Sequence, residues 1–214
     1  MADDRQQGHD GRDARVDVAL CVLGDELVAG RGDARALGWV GRVVARTPQE
    51  SFRITSYPLA VPGETTTGTA ARWEAETAPR LGERGRLVLA PGRADAREGV
   101  TVARSRLNVA NVVDAAQNRG LPVMVVGPPP VLPDGPDAAH ARAVGELSAA
   151  YADVCDRRRV PYVDTHGALR GHEDWLRDVA ASDGRVPGQA GYGLLAYLVL
   201  HGGWYAWWGV EPPA

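Results

Sequence analysis

A three-layer α/β/α sandwich around a five-stranded parallel sheet is the fold that this 214-residue sequence predicts. Three observations predict it. Short continuous apolar runs suit strands buried on both faces. Segments with helical periodicity separate those runs. The alternation of strand and helix implies parallel pairing through right-handed crossovers, which places helices on both sides of the sheet.

The apolar run at 16–23 stops abruptly at Gly24-Asp25, as a buried strand does when it opens into a functional loop. Trp39, Val40, Val43 and Val44 then recur at helical spacing until Thr47-Pro48 ends the pattern, giving a first helix over 39–46. Residues 51–59 alternate as a second strand and Pro62-Gly63 turns the chain; 69–81 is helix-compatible around Trp73, with Thr65 and Thr66 suited to cap it. A third strand over 86–90 runs into Pro91-Gly92. In the helix expected over 101–118, Val102, Val109, Val112, Val113 and Ala116 make much of one face, and Gly120 closes it. The fourth strand covers 123–126, and the prolines at 128–130 form a rigid exit. A helix over 137–158 and a fifth strand over 160–163 follow.

Length and a 44% hydrophobic content suffice for one core, so the expectation is a single domain over 16–214. The charged first fifteen residues are expected to be a disordered tail, unfit to serve as a signal peptide. Basic and acidic residues, 24 and 27 of them, are spread along the chain, which leaves no single-sign field for nucleic acid. Every basic side chain is arginine, and the absence of lysine excludes Schiff-base chemistry and the lysine-dependent phosphate loop. Cys21 and Cys155 lack metal-ligand spacing and read as reduced core thiols, in keeping with a cytoplasmic protein. No cofactor is implied. The aromatic stretch 191–210 is broken by His201, Gly202 and Gly203, and so reads as a docked terminal helix and not a membrane span. Its Trp204, Tyr205, Trp207 and Trp208 either pack back on the domain or form a homodimer contact.

Ligands of open parallel sheets sit beyond the carboxyl ends of the strands, and four segments there stand out. They are Gly24-Asp25-Glu26-Leu27 with Ala29-Gly30 and Gly38-Trp39; Pro62-Gly63-Glu64-Thr65-Thr66; Pro91-Gly92-Arg93-Ala94-Asp95; and Ser182-Asp183-Gly184-Arg185-Val186-Pro187 with Gly191-Tyr192. In order and spacing over about residues 16–200, this set resembles the four blocks of the SGNH (GDSL-type) acylhydrolases. The resemblance implies the flavodoxin-like SGNH hydrolase fold. It also implies that position 26 is the seat of a nucleophilic serine, that Gly63 and position 94 (usually asparagine) donate to the oxyanion, and that Asp183 orients a histidine at position 186. Here Glu26, Ala94 and Val186 occupy three of those five positions.

Valine has no titratable atom and alanine no side-chain donor, so Val186 cannot act as a base and Ala94 cannot hold an oxyanion. The expectation is therefore a degenerate hydrolase site. It keeps a small-molecule pocket lined by Asp25, Gly63, Arg93, Ala94, Asp95, Arg185 and Val186, or serves as a partner or regulatory subunit. The alternative is a hydrolase of altered mechanism in which Glu26 attacks and Asp183 activates water. A divalent cation on Asp25, Glu26, Asp95 and Asp183 is a third arrangement. In the plainest one, Arg93 or Arg185 folds over Glu26 and leaves an inert plug. Of His140, His166, His172 and His201, His166 follows a strand, but the fifth one, and reads as a surface or hydrogen-bonded residue.

Overall fold

The computed structural model describes residues 15–132 and 138–213. Of the tail expected over 1–15, all but Arg15 lies outside the described residues, as does the first residue of the helix expected from 137.

The first strand, β1 (Val16–Gly24), is closed to solvent from Leu20 onward. Helix α1 (Gly38–Ala45) returns the chain to β2 (Phe52–Ala60). Helix α2 (Thr66–Leu81) starts where the Thr65 hydroxyl accepts from the Gly68 N–H, three residues earlier than expected, and a 3₁₀ turn (Gly82–Arg84) leads into β3 (Gly85–Ala90). A short helix that sequence reasoning missed, α3 (Ala94–Arg97), precedes α4 (Val102–Asn118), which the Thr101 hydroxyl caps by accepting from Arg104 N–H. Gly120 takes the left-handed conformation, with φ 71°, that ends the helix. Then come β4 (Val123–Val126), α5 (Ala138–Arg158) and β5 (Tyr162–Val163). Strand β5 is only two residues long, because Pro161 has no N–H to give to a ladder. Helices α6 (Thr165–Leu169), α7 (Glu173–Ala181) and α8 (Gln189–Val199) follow, then a π turn (Leu200–Trp204) and α9 (Tyr205–Trp208).

All five strands are parallel, in the order β2-β1-β3-β4-β5. Successive strand residues face opposite cores. Leu20, Val22, Val88, Met124 and Val126 join α1, α7, α8 and the C-terminal aromatics. Cys21, Leu23, Leu87, Leu89 and Val125 join α2, α4 and α5. The expected three-layer sandwich is the observed fold.

The C-terminal aromatics pack on the domain beneath the amino ends of β2 and β3. Trp208 stacks on Phe52 at 4.9 Å, and the Arg86 guanidinium lies 4.6 Å over the Trp208 ring while donating to the Trp207 carbonyl at 2.6 Å. Trp204 donates its indole N–H to the Thr47 hydroxyl at 2.9 Å. The expected break is present at Gly202 and Gly203, and among the described residues no helix is long and apolar enough to cross a membrane.

Candidate functional site

Strand β1 has β2 on one side and β3 on the other, so successive connections leave it in opposite directions. The crevice at such a switch point opens at the carboxyl ends of β1 and β3, where the chain reads Gly24-Asp25-Glu26 and Ala90-Pro91-Gly92-Arg93. A cleft of about 690 Å³ lies there, lined on one side by Asp25, Glu26, Gly63, Arg93, Ala94 and Arg97. Val131, Leu132, Ala139, His140, Ala143, Gly184 and Arg185 complete it.

The loop after β1 is shaped by two aspartates. Asp33 accepts from the Arg35, Leu37 and Gly38 N–H groups and from Arg42, and the Arg42 hydrogen bond holds its carboxyl down at about 2. Asp25, 3% exposed, accepts from the Leu27 N–H at 2.9 Å. Gly92 fits against it only because it lacks a Cβ, which would collide with the Asp25 carboxylate. Burial, and after it the charge of Glu26, push Asp25 up to about 6.

Because the folded protein holds this proton more tightly than the unfolded chain, ionising Asp25 costs stability as pH rises from about 4 to about 6. Asp25→Asn should remove that slope. Relative to the variant, the wild type is expected to lose up to about 3 kcal/mol of unfolding free energy from pH ~4 to pH ~7. Urea midpoints of both proteins measured across that range check this, and a parallel pair of curves would refute the assignment.

Glu26 departs from the plug expected of it. Its Oε2 accepts from the Gly63 backbone N–H at 2.8 Å, and Gly63 can aim that N–H because it adopts φ 70°. Neither Arg93 nor Arg185 forms an ion pair with Glu26. Arg93, 6% exposed, instead donates from Nη2 to the Arg185 carbonyl at 2.6 Å, bracing the loop before α8, while its Nη1 is buried without a partner. Burial pulls the Arg93 pKa down, and the nearby Asp25 and Glu26 charges oppose that pull.

Three expected site residues, Asp183, Asp95 and Val186, lie elsewhere. Asp183 does not line the cleft: its Oδ1 accepts from the Arg185 and Val186 N–H groups, both at 2.9 Å, and Arg31 lies 3.5 Å from Oδ2. Those backbone N–H bonds hold its carboxyl below the usual range. The acid beside Glu26 is Asp25, which corrects the Glu26–Asp183 pair. Asp95 is fully buried and accepts from the Thr66 N–H (2.7 Å) and the Thr66 hydroxyl (2.5 Å), with Ser105 and Tyr151 also donating to it. It is a structural hub and not a cleft residue. The four acids are therefore not gathered for a cation, and among the described residues no group of three His, Cys, Asp or Glu can hold one.

Val186, 2% exposed, belongs to the core cluster on the α8 side of the sheet and packs over Gly32. Ala94 lines the cleft as expected. Sequence reasoning missed Arg97 and set His140 aside, yet both line the cleft. The available signal for His140 was the exit after β4, which empties at the same sheet edge as β1 and β3. His166 lies against Gly145 of α5 instead, and burial lowers its pKa.

Residues 22–194 match the model of the GDSL-like Lipase/Acylhydrolase family. The structure is similar to a lipase/acylhydrolase from Enterococcus faecalis, with TM-score 0.72 and 20% identity over 92% of this chain and 99% of that one. It is also similar to Axe2, an acetylxylan esterase from Geobacillus stearothermophilus, with TM-score 0.73 and 19% identity over 94% and 100%. No curated protein sequence matches the chain. At these identities the structural likeness shows the fold, while the family model spans most of the sequence. The chain belongs to the GDSL-like lipase/acylhydrolase family.

Proposed function

We propose that this chain is a non-hydrolytic member of its family that keeps the cleft for binding a small molecule and has closed the serine route. The observation that carries this reading is the Glu26 carboxylate at the position the resemblance gives to the serine, accepting the Gly63 N–H that would otherwise serve an oxyanion. Val186, at the position that the resemblance gives to the base, is sealed in the core and offers none. Losing an oxyanion donor costs about 3 kcal/mol and losing a triad member roughly 10⁴-fold in rate, with overlap when they act as a unit.

Short-chain nitrophenyl esters test it. The wild type is expected to turn them over no faster than Glu26→Ala, and turnover well above that variant would overturn the reading.

A hydrolase of altered mechanism is the second reading. It is supported by the similar structures being a lipase/acylhydrolase and an acetylxylan esterase, and by the Asp25 carboxyl, raised to about 6, beside Glu26. Its signature would be a pH-dependent turnover lost in Glu26→Gln. We further read the protein as cytoplasmic and cofactor-free, a placement supported by two free, buried thiols, Cys21 and Cys155.

A further inference from the structure

We infer that Arg72, which does not line the cleft, is its positioning residue: through Glu64 and two strand ends it places the turn that brings the Gly63 N–H to position 26. The inference holds whether the cleft binds or hydrolyses, so it stands or falls apart from the non-hydrolytic reading.

Residues 61–64 form a β-turn that the Glu64 N–H closes by donating to the Val61 carbonyl at 3.1 Å. Pro62 holds the second place, where its ring excludes positive φ, and Gly63 the third, at φ 70°. That combination is a type II turn, in which the peptide between those two residues is rotated relative to its direction in type I. Turn type thus gives the Gly63 N–H its direction. It does not give the turn its place, and a hydrogen bond of 2.8 Å to Glu26 Oε2 needs both. Apolar packing does not supply the place either, because Val61 is 41% exposed and Pro62 is exposed beside it.

Polar ties supply it, and they converge on one guanidinium. From α2, Arg72 Nε donates to Glu64 Oε1 at 2.6 Å and Nη2 to Glu64 Oε2 at 2.7 Å, a two-pronged pair that the Thr69 hydroxyl completes at 2.9 Å. The Glu64 side chain is 6% exposed and that of Arg72 18%, so solvent screens the pair little. Nη2 also reaches the Leu59 carbonyl at 2.8 Å and the Gly24 carbonyl at 3.5 Å. The same Gly24 carbonyl accepts from the Val61 N–H at 2.9 Å. Arg72 therefore holds the strand before the turn, the residue that ends the turn, and the end of β1 that carries Glu26 two residues later. Both halves of the Glu26–Gly63 contact hang from it. Without the fork, the Val61–Gly24 bond is left as a single hinge about which the turn can swing away from position 26.

Glu26→Ala, made in two backgrounds, tests this through the Gly63 amide in proton–nitrogen correlation spectra. In the wild-type background the substitution should displace the Gly63 resonance, because it removes a carboxylate acceptor. With Arg72→Met, which keeps an apolar stem and drops the fork, the same substitution should displace it by less than about a third as much. In Arg72→Met alone, exchange of the Gly63 amide with water should rise about tenfold, while Gly145 inside α5 keeps its rate. An Arg72 that served stability alone would lower the melting temperature and leave the displacement whole. Should Arg72→Met not fold, Glu64→Gln carries the test: it keeps the shape of the clamp, removes its charge, and should about halve the displacement. A full displacement in folded Arg72→Met, or in Glu64→Gln where only that variant folds, would overturn the assignment. So would the absence of any displacement in the wild-type background.

Discussion

Replacing Glu26→Ser, Ala94→Asn and Val186→His together is expected to raise nitrophenyl ester turnover about 10³-fold or more above the wild type. Each substitution answers a separate deficit. Removing the Glu26 carboxylate frees the Gly63 N–H, which already points at the nucleophile position. An amide at position 94 adds a second donor on the cleft wall, and an imidazole at position 186 stands three residues after Asp183. The obstacles are visible too. Val186 packs against Gly32, so a larger ring must find room there, and Asp183 is already engaged by two backbone N–H groups and Arg31. Glu26→Ser alone should give nothing measurable, because valine stands at the position that the resemblance gives to the base. A well-folded triple variant with no gain would contradict the alignment of the four blocks.

Asp95→Ala is expected to cost about 3–5 kcal/mol of stability. The carboxylate takes the Thr66 N–H, the Thr66 hydroxyl, the Ser105 hydroxyl and the Tyr151 hydroxyl, which lie on α2, α4 and α5. With alanine, four donors are left in a place that water does not reach. Asp95→Asn should cost less, about 1–2 kcal/mol, because one oxygen still accepts while the amide nitrogen faces donors. Urea unfolding monitored by tryptophan fluorescence checks both, and an Asp95→Ala midpoint equal to that of the wild type would show that the hub holds nothing together.

Most of the sheet was legible because strands buried on both faces leave uninterrupted apolar runs, as Leu20 to Leu23 and Val123 to Val126 do. The helices were legible from caps as much as from periodicity: Thr101 and Gly120 sit at the two ends of α4 as local chemistry requires. Strand β5 was overcalled because Val160 to Val163 looks uniformly apolar, and periodicity says nothing about Pro161's missing N–H. Helix α3 was missed because four residues carry no period to detect.

The site was legible by position and not by partnership. The four blocks located Glu26, Gly63, Arg93, Ala94 and Arg185 on one cleft, since the resemblance fixes which loops meet at the sheet edge. It could not say which acids face one another. Asp183 and Asp95 looked like cleft carboxylates, yet one spends itself on its own turn and the other on three helices. Competition among nearby donors decides such outcomes, and that competition is set by three-dimensional packing. Likewise Glu26 chose a backbone N–H over a guanidinium because Arg93 is held by a carbonyl on the far loop.

The proposed lack of a working nucleophile is tested most directly by intact-mass measurement after treatment with a fluorophosphonate, which marks activated serines. The wild-type chain should show no added mass, while the chain carrying Glu26→Ser, Ala94→Asn and Val186→His should gain one adduct at position 26. A stoichiometric adduct on the wild type would mean that an activated hydroxyl exists where the structure shows only a carboxylate on Gly63.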